Sequence, residues 1–177
     1  MGAVLKYREA LTEAMTLLAR DPRTLFVGQS MRYSAQAMWP TFTDVPMERR
    51  IEMPVTEDFQ MGYCTGLALA GFVPVCVYSR WDFLLIAANQ LVNHLDKIYE
   101  MSDFSPHVII RVAVGTTQPL NTGPQHTQDH SGAFRLMLDA VKVVTLREPA
   151  AVVPAYYEAL HRGGATILVE YMDDYQK

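Results

Sequence analysis

Six short apolar runs divide the chain: TLFVG (24–28), IEMPV (51–55), VPVCVYS (73–79), HVIIRVAV (107–114), VKVVT (141–145) and ATILVEY (165–171). They are rich in β-branched residues and too short for ordinary helices, the pattern of strands buried on both faces. Helical stretches separate them. Residues 5–20 place Leu5, Ala10, Leu11, Met15 and Leu18 near one face, with charges opposite. Segments 57–71, 83–101, 129–138 and 149–162 predict further helices. Strands alternating with helices predict an α/β three-layer sandwich, a mainly parallel sheet with helices on both faces. Pro54 ends the second strand or puts it at an edge. Residues 29–50 are irregular, with room for a short helix, and a connection that long serves a site or an interface. In such sheets ligand sites lie at the C-terminal ends of the strands.

A chain of 177 residues suits one domain spanning 1–177. The net charge of −4 gives no basic footprint for nucleic acid or an anionic membrane. No apolar run reaches the ~18 residues that would span a bilayer. The N-terminal MGAVLKYREA carries charges where a signal peptide needs an apolar core. Cys64 and Cys76 sit in different elements without metal-ligand spacing, which predicts a reduced, cytoplasmic compartment.

The segment MPVTEDFQMGYCTGLALAG (53–71) sets two carboxylates, Glu57 and Asp58, between a strand and a helix. With Thr56 as N-cap, both fall in the first helical turn. There they complement the helix dipole, worth about 0.3–1 kcal/mol each. A second reading is chemical. Gly62, Gly66 and Ala70 recur every four residues and form a smooth ridge. A helical glycine costs about 1 kcal/mol relative to alanine, so the ridge calls for another helix packed closely on it, from this chain or a second one. A helix so enclosed starts with carboxylates that are themselves buried, and a buried carboxylate marks a candidate site.

The same segment, MPVTEDFQMGYCTGLALAGFVPV, resembles the thiamine-diphosphate enzymes of the transketolase group. It is most like the β subunit of the decarboxylating component of 2-oxo acid dehydrogenase complexes, with its P-[IV]-x-E, Gly-rich helix and A-G-x-x-P-V. The likeness continues in order through WDFLLIAANQLVNHLDKI, NTGPQHTQ and VKVVT, over essentially the whole chain. It implies a single transketolase-like pyrimidine-binding domain. Glu57 then matches the glutamate that hydrogen-bonds a ring nitrogen of the cofactor's aminopyrimidine, the contact through which the cofactor is activated. Asp58 remains a helix-start charge. Trp81 and Phe83 stand where the family presents aromatics to the pyrimidine, or they pack in the core. His126 matches the loop histidine near the substrate. Gln29 follows the first strand where relatives usually have Gly-Glu, next to the substrate; it hydrogen-bonds but does not titrate. Arg80 takes a position that is aromatic in many relatives.

The family holds Mg²⁺ and the diphosphate through a G-D-G…N motif that this sequence lacks. The resemblance therefore implies half of a site. An α-like, diphosphate-binding partner subunit would supply Mg²⁺ and complete a two-plus-two heterotetramer. No residue of this chain is predicted to hold a metal; His126 and His130 have helical spacing but no third ligand. The implied reaction is decarboxylation of a 2-oxo acid or transfer of a two-carbon unit from a ketose, with the G-P-Q-H-T-Q loop favouring oxo-acid chemistry. The alternatives are a non-catalytic homologue that stabilises or regulates such a partner, and a flavodoxin-like module. GQSMRYS (28–34) makes a poor phosphate loop for the latter.

Overall fold

The computed structural model describes residues 5–118 and 121–177. Residues 1–4 of the N-terminal segment, and Pro119 and Leu120 of the Gly/Pro/Thr loop expected at 115–127, lie outside the described residues. Helix α1 (Tyr7–Ala19) buries Tyr7, Ala10, Leu11, Ala14, Met15 and Leu18, a stripe at helical spacing. Leu5, expected on that stripe, stands ahead of the helix and is exposed. Tyr7 fills its place, and its hydroxyl donates to the Leu146 carbonyl at 2.6 Å.

Strand β1 (Thr24–Gly28) follows. The long connection after it contains 3₁₀ turns at Trp39–Phe42 and Met47–Arg49. Arg50 pins it: its guanidinium donates to the Phe42 and Val45 carbonyls and stacks on the Trp39 ring at 5.1 Å. Strand β2 (Arg50–Glu52) is shorter than the predicted 51–55 run and sits at the sheet edge, where Pro54 cannot donate to a ladder. Helix α2 (Glu57–Leu69) ends where Gly71 adopts φ +90°, two residues earlier than expected. Strand β3 (Val73–Tyr78) is buried throughout.

The continuous helix predicted over 83–101 is broken. Helix α3 (Trp81–Leu84) passes into a 3₁₀ turn at Leu85–Ala87, a wide π turn at Gln90–Leu95 and a short helix α4 (Ile98–Met101). The wide turn delivers Asp96, fully buried, beneath residues 139–141, where it accepts the N–H groups of Asp139, Ala140 and Val141 at 2.9–3.1 Å. Burial alone would raise the Asp96 pKa; these bonds hold it below its usual value. Apolar period alone does not reveal a helix whose winding changes to satisfy a buried carboxylate.

Strand β4 (Ile109–Val114), helix α5 (Ser131–Met137), strand β5 (Lys142–Thr145), helix α6 (Pro149–Arg162) and strand β6 (Thr166–Tyr171) complete the chain. The strands lie in the order β2-β1-β3-β4-β6-β5, and every neighbouring pair is parallel. The expected α/β sandwich is therefore present, with a sheet that is wholly parallel. Alternate strand residues feed two cores. Val75 and Val77 join α1 and α6 on one face, whereas Cys76 and Tyr78 join α2, α3 and α5 on the other. Among the described residues no helix is long and apolar enough to cross a membrane.

Two features organise this sheet. The first is a buried ion pair. Arg111 of β4 meets Glu170 of β6 through two bonds, Nε–Oε1 at 2.5 Å and Nη2–Oε2 at 2.9 Å. Arg111 also donates to Thr41 Oγ1, and Glu170 accepts the hydroxyls of Tyr156 and Tyr175. Burial would lower the Arg111 pKa, but the Glu170 charge holds it above its ordinary value. The second is a switch in chain direction. The connection leaving β1 packs on α1, whereas that leaving β3 packs on α2. Neighbouring strands thus send their chains to opposite faces, which opens a crevice at their C-terminal ends.

Replacing Arg111 with methionine strands the Glu170 carboxylate in the core. Urea unfolding of Arg111→Met should show a loss of about 3–5 kcal/mol, and adding Glu170→Gln should restore part of it. No recovery in the double variant would show that the two side chains act independently.

Candidate functional site

The crevice is built from the ends of β1, β3 and β4 and the start of α2. Glycine is required where β1 stops, because a Cβ at Gly28 would stand 2.7 Å from the Val77 carbonyl oxygen. Ser30 then takes a left-handed conformation (φ 55°). The N–H groups of Ser30, Met31 and Arg32 close on the Glu52 carboxylate at 2.6–2.9 Å. That seat fixes Gln29, whose Nε2 donates to Glu57 Oε1 at 3.1 Å.

The acidic pair divides at this point. Glu57 is turned inward and 5% exposed, and its carbonyl accepts the Tyr78 hydroxyl at 2.9 Å. Asp58 is half-exposed. Thr56 occupies the N-cap position, but its hydroxyl points to the Pro54 carbonyl and caps nothing. The first turn of α2 therefore relies on its two acids rather than on the expected cap.

On the other side of the crevice, Phe83 is half-buried and meets the His126 ring edge-on, with centroids 5.5 Å apart. His126 reaches it because Gly115, just after β4, carries no side chain: a Cβ there would lie 1.8 Å from the His126 carbonyl oxygen. The loop is tied down further by Gln128 to Asp82 at 2.7 Å and by Tyr171 to Asp129 at 2.7 Å. A cleft of about 190 Å³ is lined by Ala35, Gln36, Ala37, Ser79, Arg80, Phe83 and His126. Gln36 joins the two halves, since it lines this cleft and its Nε2 donates to the Gln29 carbonyl at 2.8 Å; its Oε1 is buried without a partner among the described residues.

Gln29, Glu57, Phe83 and His126 thus gather at one end of the sheet. Trp81 does not join them. It is fully buried, 5.0 Å from the Phe134 ring and edge-on to His130, so within this chain it is a core residue. His130 lies on that inner side rather than with His126, and the described residues contain no cluster of three metal-ligating side chains. Of the predicted ridge, Gly62 abuts Gln90, where a Cβ would stand 3.4 Å from the side-chain oxygen. A Cβ at Gly66 would meet none of the described residues beyond its own helix turn within 4 Å, and Ala70 is exposed. Among the described residues, the ridge therefore meets the rest of the chain at Gly62, through the Gln90 side chain, and not at Gly66. The rest of the ridge borders an outer face that bears Val55, Phe59 and Tyr63, all exposed. Sequence reasoning missed Gln36, which sits in an irregular stretch, and Gln60, whose buried amide donates to the Val77 carbonyl at 3.0 Å. Neither carries a pattern by which it could have been found.

Residues 3–176 match the family described as the transketolase pyrimidine binding domain. The chain belongs to this family. Two curated relatives are named as the mitochondrial pyruvate dehydrogenase E1 component subunit beta. That of Chaetomium thermophilum is 31% identical over 154 residues, covering 78% of this chain and 37% of that one. That of Drosophila melanogaster is 30% identical over 128 residues, covering 68% and 34%. A solved structure described as a split gene transketolase, inactive beta4 tetramer, shares the fold, with a TM-score of 0.70 at 17% identity over 95% of this chain and 51% of that one. The chain spans little more than a third of the length of these curated relatives. The resemblance expected from the sequence is borne out at the level of this pyrimidine-binding family.

In this family member, Gly115→Ala should push the His126 loop off the strand end. Such overpacking typically costs about 1–3 kcal/mol. Proton NMR should show the His126 ring resonances losing the shift imposed by Phe83. Gly132→Ala, where nothing lies within 4 Å, is the control and should leave those resonances in place.

Proposed function

We propose that this chain is the pyrimidine-binding subunit of a split thiamine-diphosphate-dependent enzyme. In that role it activates the cofactor for decarboxylation of a 2-oxo acid or transfer of a two-carbon unit. The observation that carries this reading is Glu57, a buried carboxyl at the switch of chain direction, with one oxygen held by Gln29. Its other oxygen takes no hydrogen bond from the described residues and is available to a ring nitrogen. Across the crevice, the half-exposed Phe83 suits one face of a flat heteroaromatic ring. The residues present therefore fit the pyrimidine end of the cofactor.

When bound, thiamine diphosphate supplies the carbon nucleophile and the electron sink for cleavage next to a carbonyl. Glu57 holds a proton at the pyrimidine ring nitrogen. Gln29 cannot titrate, so it orients the Glu57 carboxyl and leaves it as the acid–base group of the pair. His126, fixed against Phe83, supplies a donor at the substrate side. Mg²⁺ and the diphosphate fall to an α-like partner in a two-plus-two assembly. Support for a partner comes from the exposed outer face of α2 and from relatives named as beta subunits. Cytoplasmic placement belongs to the same proposal and is supported by two free, buried thiols, Cys64 and Cys76. The names of the two curated relatives place them in mitochondria, so cell fractionation is the check.

In the assembled enzyme, Glu57→Gln should preserve the fold and much of the cofactor binding. Exchange of the thiazolium carbon's proton with deuterium should slow by about 10²–10⁴-fold. Asp58→Asn, at a half-exposed position, should leave the exchange nearly unchanged. Exchange as fast in Glu57→Gln as in the unaltered enzyme would return Glu57 to a helix-start charge and sink the catalytic reading.

The interface has its own test. Gly66→Leu has free space within this chain, so the variant should fold and its helix should gain up to about 1 kcal/mol. Sedimentation velocity should nevertheless show loss of association with the partner. Unchanged assembly would mean that the ridge is not an interface.

A further inference from the structure

Among the described residues, the Arg80 guanidinium has no counter-ion at ion-pair distance, and Asp82 pairs with His130 rather than with it. Both of its hydrogen bonds leave from Nη1, to the Ser79 carbonyl at 2.6 Å and to Met172 Sδ at 3.0 Å. Its Nε is buried and has no partner among the described residues. Asp82, whose charge Arg80 feels, is bonded by Gln128 and faces His130 instead. Burial without a paired anion pulls the Arg80 pKa below its usual value, the mark of a charge that lacks compensation. Elsewhere in the same sheet, Arg111 shows what a paired guanidinium does: it presents its Nε and Nη2 edge to both oxygens of Glu170. That edge of Arg80 carries no hydrogen bond to the described residues. The bonds from Nη1 hold the fork in place, so an arriving oxyanion meets donors already oriented.

The surroundings favour a ligand over a structural partner. Arg80 lines the cleft with Phe83, His126, Gln36 and Ser79, next to the Gln29–Glu57 pair. The missing side chain of Gly115 leaves room beside the guanidinium, since a Cβ there would stand 3.0 Å from the buried Nε. The buried Gln36 Oε1, also without a partner, offers an acceptor to a hydroxyl of the same ligand.

We infer that Arg80 is the substrate-recognition residue of this site and binds an oxyanion of the substrate in bidentate fashion through its Nε and Nη2 edge. The substrate class is then an anionic one, a 2-oxo acid or a phosphorylated ketose. The step is binding alone and forms no bond. This deepens the thiamine-diphosphate reading and rests on it for the word substrate. The oxyanion site itself stands on Arg80 and is tested without cofactor.

The test is an NMR titration of the full chain, following the Arg80 Nε–H resonance, which is assigned by its loss in Arg80→Gln. The probes are 2-oxoglutarate, pyruvate and fructose 6-phosphate, with inorganic phosphate as a bare oxyanion. At least one probe should shift the resonance saturably and slow its exchange with water. Arg80→Gln should weaken that binding by about 10–100-fold, as read from backbone resonances of Ser79 and Gly115. Arg80→Lys, which keeps the charge but loses the two-point edge, should fall between. Tighter binding of the oxo acids names a carboxylate as the partner; tighter binding of the sugar phosphate names a phosphate. If no probe moves the Nε–H resonance, or if Arg80→Gln and Arg80→Lys bind as well as the unaltered chain, the proposal fails. A failed exchange experiment on Glu57 with intact Arg80 binding would leave an oxyanion site and remove only the thiamine chemistry.

Discussion

The bidentate pair between Arg111 and Glu170 is the contact on which the middle of this molecule depends. Two charges in a dry sheet interior are tolerable only when each remaining donor and acceptor is met. Here the completing groups come from distant parts of the chain: Thr41 from the long connection after β1, Tyr156 from α6, and Tyr175 beyond β6. Satisfying one pair therefore locks β4 against β6 and closes a helix, a loop and the C-terminal turn over them. Phe42 adds its ring over Arg111 at 4.8 Å, which draws the β1 connection down onto the same face. A loop that would otherwise be free of the sheet becomes part of the core.

Anchoring that connection has a consequence at the other end of the crevice. With Phe42 held below, the turn after β1 closes on Glu52 and aims Gln29 at Glu57. The acid is thus positioned from two sides, by Gln29 on the carboxyl and by Tyr78 on the backbone. The cleft opposite is positioned by absence. Gly115 has no Cβ, and this lets the His126 loop lie on the strand end and the Arg80 guanidinium lie close beside it. Site geometry here results from a packed core that transmits position, together with two glycines, Gly28 and Gly115, that allow close backbone approach.

Much of the fold was legible in the sequence, for a physical reason. Strands buried on both faces must be apolar on both alternations, so TLFVG, VPVCVYS and ATILVEY declare themselves locally. Helix α1 shows its stripe in the same way, and Gly62 with Gly66 marked a helix with an unusual neighbourhood. Glu57 was legible because a carboxylate at that joint, followed by a Gly-rich helix, is a local pattern. The broken helix over 81–101 was not, since its winding answers to Asp96 and to backbone groups more than forty residues away. Trp81 and Phe83 look alike in sequence and differ only in which side of a single turn faces the core.

By itself, then, the sequence determined the element order, the parallel α/β class, the buried acid at the start of α2 and the family, because each is written in local period or in colinear motifs. Tertiary structure alone decided which partners those residues have. Arg111 and Glu170 are 59 residues apart, Gln29 and Glu57 28 apart, and Arg80 and Met172 92 apart. Pairing at such separations is set by strand order, register and crossing face, none of which has a local signature. The unpaired edge of Arg80 is the clearest case. In sequence it was a departure from an aromatic position; only the fold shows that Asp82, the acid two residues on, turns its Oδ1 to Gln128 and His130 and forms no ion pair with Arg80.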